Sequence, residues 1–189
     1  MLTQKRKNST AVLTVLSALA AIGIVLGKFL AFNITEFMRF SLENLTILLS
    51  GIVFGPIYGL AVGIVQDLVG CLMVGYTINP IITLGSAVIG TVCGLVYKHT
   101  KMLSQIPRIS ISVAIAHLLG SVMVKSIGLA VFYELPFLAT VAWRSLNYVI
   151  VGVIEIILLV LMLESKLLLT QINKIAVFSA DKGGSDNDA

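Results

Sequence analysis

The chain has 189 residues, 58% of them hydrophobic and 12% charged, with a mean hydropathy of +1.03 and a formal net charge of +4. Soluble domains carry about 25% charged residues. This composition therefore excludes a soluble globule and is that of an all-α integral membrane protein, with room for about six spans of ~20 residues and no separate soluble domain. The charge sits mostly at the chain ends and in one loop, which gives no basis for nucleic-acid binding.

Lys5, Arg6 and Lys7 precede the first apolar run, 11–32. No small-residue cleavage site follows it, so it reads as a retained span. A polar stretch with Glu36, Arg39, Ser41, Glu43 and Asn44 leads into the second run, 42–54, which breaks at Gly55-Pro56, a turn signal. The third run, 58–74, ends in Gly75-Tyr76-Thr77, and Asn79-Pro80 opens the fourth, which reaches Tyr97. A polar, basic connection (KHTKMLSQIPR) leads to the fifth, 109–132, closed by Glu134-Leu135-Pro136, and the sixth covers 137–163.

With six spans, Lys5, Arg6, Lys7, Lys98, Lys101, Arg108, Lys166 and Lys174 fall on one side, against Lys28 and Arg39 on the other. The positive-inside rule then places both termini in the cytoplasm. The organisation expected is a cytoplasmic N-terminus at 1–10, a six-helix membrane domain at 11–165, and a cytoplasmic tail at 166–189. The tail's acidic, Gly-rich end has the composition of a disordered segment. Three connections face outward: 33–41, 75–79 and 133–136.

A charge near mid-bilayer costs roughly 2.5–3.5 kcal/mol even on lenient insertion scales, so such residues face a cavity or a partner. On the fifth span, His117, Ser121 and Lys125 recur every four residues and share a face. Lys125 lies about 8 residues, roughly 12 Å, from the outer end, and Arg144 on the sixth span about 7 residues, roughly 10 Å. Trp143 and Asn147 share one face of that span, with Arg144 and Tyr148 beside them and Glu155 deeper on nearly the same stripe as Arg144.

Arg39, Lys125 and Arg144 are cations on the outer side and suit an anionic ligand, because Arg pairs carboxylates bidentately. Trp143, Tyr148 and Tyr76 offer flat walls. Asn79, Asn147 and Glu43 offer donors and acceptors for a heterocycle edge. Each has another use. Lys125 could snorkel outward, Arg144 could pair with Glu155 or Asp67, and Trp143 could sit in an interfacial belt. His117 suits an interhelical hydrogen bond, and Asp67, among glycines, a structural role.

Gly51, Gly55, Gly59 and Gly63, with Gly90 and Gly94, form small-xxx-small series that let helices approach closely. Ser17 and Ala21 are a weaker pair on the first span, where docking to another membrane protein is as plausible as internal packing. Cys71 and Cys93 read as buried free thiols, and no Cys/His set suggests a metal site. The sequence has no GxxxxGK[ST] loop to hydrolyse ATP and no catalytic constellation, and nothing in it asks for a cofactor.

Arg39-Phe40-Ser41, Phe54-Gly55-Pro56, Asp67 with Gly70, Asn79-Pro80-Ile81, and Trp143-Arg144 with Asn147 carry a resemblance to a known family. The chain resembles the substrate-binding S components of energy-coupling factor (ECF) vitamin transporters, and among them the folate-specific family (FolT). The similarity covers most of 11–165, with 39–84 as its specific part. It implies a six-helix membrane subunit that binds folate from outside under the first outer loop. Such a subunit works with a coupling subunit, EcfT, and two ATPase subunits, EcfA, and topples in the bilayer to release its vitamin.

On this resemblance Arg39, Ser41, Glu43, Asn79, Lys125, Trp143, Arg144 and Asn147 are the expected substrate-binding residues, and no residue is expected to be catalytic. Glu43, Asn79 or Asn147 would read the pterin, Trp143 would stack, and Arg39, Lys125 or Arg144 would take carboxylates. Ser17 and Ala21 occupy the family's AxxxA docking position. The chain departs from the family pattern at Ser17 and at Lys28, where arginine is common. An S component for riboflavin, thiamine or pantothenate is the alternative. A stand-alone channel would need a polar stripe across the bilayer, and a membrane enzyme a nucleophile and a base; neither pattern is present.

Overall fold

The computed structural model describes residues 9–33 and 39–165. Helix α1 (Ser9–Ile24) continues into a π-helical turn, Val25–Phe29. A short antiparallel pair follows, β1 (Phe32–Asn33) with β2 (Arg39–Phe40), Phe32 opposite Phe40 and Asn33 opposite Arg39. Then come α2 (Glu43–Phe54), α3 (Pro56–Val74), α4 (Pro80–His99), α5 (Gln105–Tyr133) and α6 (Phe137–Glu164). Among the described residues the fold is all-helical apart from that two-residue pairing, which falls at the outward connection expected at 33–41. The terminal segments 1–8 and 166–189 lie outside the described residues.

The breaks fall where local chemistry demands them. Gly55 adopts φ +103°, a conformation that side chains avoid, and Pro56 takes the first position of α3, where an N–H would go unpaired anyway. Asn79 caps α4: its Oδ1 accepts from the Ile81 and Ile82 amides at 3.0 and 3.3 Å, and Pro80 starts the helix.

Five of the helices, Val12–Phe29, Pro56–Val74, Pro80–His99, Gln105–Tyr133 and Phe137–Glu164, are long and apolar enough to cross a bilayer. Helix α2 is the sixth apolar segment, but its 12 residues rise only about 18 Å, against a hydrocarbon core of about 30 Å. Every residue from Asn44 to Ile52 is buried. Sheathed by its neighbours, α2 does not have to match the lipid thickness. Short connections make successive helices run in opposite directions, so Ser9 and Glu164 lie at the end that also carries Gly55 and the link between α4 and α5.

The apolar core fills that same half, with Ile52, Val62, Ile89, Cys93, Ile109, Val113 and Leu159 all buried. Its tightest contacts are backbone to backbone, along α4. A Cβ on Gly51 would lie 2.5 Å from the Gly90 carbonyl oxygen, and one on Gly59 2.6 Å from the same atom. A Cβ on Gly94 would lie 2.7 Å from the Gly51 oxygen and 2.8 Å from the Pro56 nitrogen. The small-residue series thus packs α2 and α3 onto α4. Gly55 is the exception, serving its turn conformation, with open space where a side chain would stand.

Because the obstructing atoms along this seam are backbone, a larger residue cannot be accommodated by a rotamer change. Gly59→Val is expected to destabilise the protein by about 1–3 kcal/mol or more, read as a lower melting temperature in detergent. A melting temperature equal to that of the unsubstituted protein would show the seam to be loose.

Candidate functional site

At the other end of the bundle lies a cavity of about 190 Å³. Six helices and the segment leading into α2 build its wall. The π-helical turn after α1 gives Lys28, the strand-to-helix link gives Ser41, and the first turn of α2 gives Glu43. Helix α3 supplies Asp67 and Cys71, its C-terminal link Tyr76 and Thr77, and the start of α4 Asn79 and Ile82. Helix α5 brings Lys125 and Tyr133, and α6 brings Trp143, Arg144, Asn147 and Tyr148.

Ser41, Glu43, Asn79, Lys125, Trp143, Arg144 and Asn147 therefore meet at one cavity although they come from four distant stretches of sequence. The eighth expected residue, Arg39, has its backbone in β2, two residues before Ser41, and its side chain lies outside the described part.

The charges are arranged in a definite pattern. Lys125 is 3% exposed and does not snorkel; its Nζ lies 3.6 Å from Glu43 Oε1. Arg144 donates from Nε to the Ser121 carbonyl at 2.7 Å and from Nη2 to Tyr148 Oη at 3.4 Å. Neither of the carboxylates considered for it from sequence is its partner. Glu155 bonds His117 Nε2 at 2.5 Å, and Asp67 Oδ2 accepts from Thr83 Oγ1 at 2.6 Å. Lys28 stands 5.8 Å from the centre of the Tyr76 ring. Among the described residues, neither Lys28 nor Arg144 has a carboxylate within ion-pair distance. Among the described residues, three cations and two carboxylates leave the wall with one formal positive charge in excess.

The long charged side chains reach the cavity across glycines. A Cβ on Gly85 would meet the Lys125 stem at 2.5 Å, one on Gly70 would meet Lys28 Cε at 2.7 Å, and one on Gly27 would meet Glu43 Oε2 at 2.7 Å. Helix α5 is π-helical from His117 to Val124, just before Lys125. Such i→i+5 segments are rare and concentrate at functional sites.

Several roles sharpen. Asn79 is largely committed to the fold, since its Oδ1 caps α4 and its Nδ2 donates to the Gly128 carbonyl at 3.0 Å. Asp67 joins α3 to α4 through Thr83, as its structural reading expected, and also faces the cavity. Trp143 lines the cavity rather than standing apart in a belt. His117 makes the interhelical bond expected of it. Lys28, Cys71, Thr77, Ile82 and Tyr133 belong to the wall but were not singled out from sequence as site residues. The lone cation at the end of the first span was the available signal for Lys28, and the others carry none. Among the described residues no His/Cys/Asp/Glu group could hold a metal ion.

Comparison with known proteins fits this arrangement. A family model described as "ECF-type riboflavin transporter, S component" matches residues 7–168. The structure is similar to that of FolT bound with folic acid, with a TM-score of 0.64 and 25% identity over 79% of this chain and 90% of that one. It is also similar to an S component of a bacterial ECF transporter, with a TM-score of 0.56 and 22% identity over 78% of this chain and 92% of that one, a likeness of fold alone. No curated protein matches the chain. With the family model spanning most of its length, the chain belongs to the S components of ECF-type riboflavin transporters, the substrate-binding subunits of ECF transporters, and is a multi-pass protein of the bacterial cell membrane.

Proposed function

We propose that this S component is specific for folate, which it binds at the cavity from outside the cell for ATP-driven uptake. The observation that carries the reading is the cavity's charge: Lys28, Lys125 and Arg144 surround it, and two of them have no carboxylate partner among the described residues. A ligand with carboxylates supplies the missing counter-charge. The likeness to FolT bound with folic acid supports the same choice.

In this reading Lys125, Arg144 and Arg39 take the glutamate carboxylates, and Trp143 stacks on a ring. Glu43, Asn147 and Ser41 serve the pterin edge, with Asn79 contributing mainly by fixing the start of α4. Riboflavin is the second reading, favoured by the description of the matching family. Its ring system and ribityl chain carry no carboxylate, so it leaves the excess cations without a purpose.

Both termini are cytoplasmic in this proposal, on the strength of Lys98, Lys101 and Arg108 at the closed end of the bundle. The cavity then opens outward. S components bind substrate and are not enzymes, so ATP hydrolysis falls to two EcfA subunits acting through EcfT. Ser17 and Ala21 are exposed on α1, one turn apart, and suit close approach by a helix of EcfT.

Three measurements test this. Protein purified without added ligand should carry folate, identified by mass spectrometry; riboflavin in its place would overturn the specificity. Arg39→Ala should weaken folate binding by roughly tenfold or more, about 1.4 kcal/mol, while the melting temperature barely moves; unchanged affinity would remove Arg39 from the site. Ser17→Leu with Ala21→Leu should abolish co-purification of EcfT and leave folate affinity of the isolated chain intact. Retained co-purification would place the docking surface elsewhere.

A further inference from the structure

Behind the cavity wall lies a buried polar cluster that does not touch the cavity directly. His117 and Glu155 are 4% and 0% exposed, and their side chains join α5 to α6 at 2.5 Å through His117 Nε2. The other ring nitrogen, Nδ1, is 2.9 Å from Ser121 Oγ. Ser121 in turn offers its carbonyl to Arg144 Nε at 2.7 Å. A second route runs through Tyr148, whose ring stacks on the His117 imidazole with centroids 4.8 Å apart and planes 25° apart. The Tyr148 hydroxyl accepts from Arg144 Nη2, and the guanidinium carbon lies 5.3 Å from the ring centre.

Arg144 is thus held on two sides by groups that both rest on one imidazole. One is the Ser121 carbonyl within the π-helical segment, and the other is the Tyr148 ring. A guanidinium on a flexible stem offers two parallel donors to a carboxylate only when its plane is fixed. Fixing it beforehand removes the cost of ordering it on binding.

We propose that His117 and Glu155, neither of which lines the cavity, act as positioning residues. Together they hold Ser121 and Tyr148 so that Arg144 presents its free edge to the ligand's carboxylate. The proposal rests on the reading of Arg144 as a carboxylate subsite. It adds that selectivity for the anionic tail is set one layer behind the wall, by the pair that locks α5 to α6.

The test uses the full chain in detergent and two probes, folic acid and its diamide, in which both glutamate carboxylates are amides. Trp143 is the sole tryptophan of the chain and lines the cavity, so its fluorescence reports binding of either probe. Arg144→Gln should cut the preference for folic acid over the diamide by roughly tenfold, leaving the share that Lys125 and Arg39 supply. If the preference is unchanged, Arg144 takes no carboxylate, and the proposal falls with it.

Given an active Arg144, the double substitution His117→Leu with Glu155→Leu removes both partners and leaves no orphaned buried charge. It should cut the preference by roughly tenfold with the diamide's affinity unchanged, and adding Arg144→Gln should cost nothing more. Ser121→Ala, which keeps the carbonyl but removes the hydroxyl contact, should cut it partway and serves if the double variant fails to fold. Glu155→Gln, which can still hydrogen-bond His117, should retain the preference. Equal losses for both probes, or no change in the preference, would show that the pair merely supports the fold.

Discussion

Backbone meets backbone where α4 crosses α2 and α3, and the remaining architecture follows from that contact. In hydrocarbon, helices gain little from burying apolar side chains against one another, so close van der Waals approach between small residues has to hold the bundle. Gly51, Gly59, Gly90 and Gly94 provide it in the half that also carries the buried Ile and Leu side chains. Toward the opposite end, where Asn79 fixes the start of α4, the space enclosed by the helices is lined by polar and charged groups instead. Tight packing at one end and a polar chamber at the other are two parts of one arrangement.

Charge inside this chamber is tolerated because each charged group has a local reason to be there. Lys125 has Glu43, Asp67 has Thr83, and Glu155 has His117. Among the described residues Arg144 has neutral acceptors, a carbonyl and a phenol, and Lys28 has an aromatic face. Glycine enters a second time here. Gly27, Gly70 and Gly85 leave room for the stems of Glu43, Lys28 and Lys125, so the residue type that binds helices together in one half admits long polar side chains in the other.

Much of this was legible in the sequence, because hydrophobic runs, turn residues and helical spacing are local signals. The span limits, the Gly55-Pro56 turn and the meeting of Lys125 with Arg144 at similar depth all follow from counting along the chain. Counting does not show which helices are neighbours or how each is rotated. Arg144 and Glu155 share a stripe on α6, yet Glu155 turns to His117 on α5. The π-helical stretch beginning at His117 also changes the phase of α5, which a four-residue repeat cannot reveal. The pairing of β1 with β2 joins Phe32–Asn33 to Arg39–Phe40 and has no periodic signature at all.

The division of the bundle into a polar half and an apolar half also bears on how a charged ligand could pass. Below Arg144 the buried side chains that can carry charge include, deepest on α6, Glu155 paired with His117, and beyond that pair Ile109, Val113, Ile89, Cys93 and Leu159 are almost completely buried, with Ser112 among them bonded to the Arg108 carbonyl. A carboxylate pushed through that floor would leave water without gaining a partner, at a cost of several kcal/mol per charge. The glycine seam keeps the floor closed, since separating α4 from α2 and α3 would forfeit its close backbone-to-backbone contacts. Binding and passage therefore make opposite demands on this chain. A static bundle meets the first; the second needs an arrangement other than the closed floor described here.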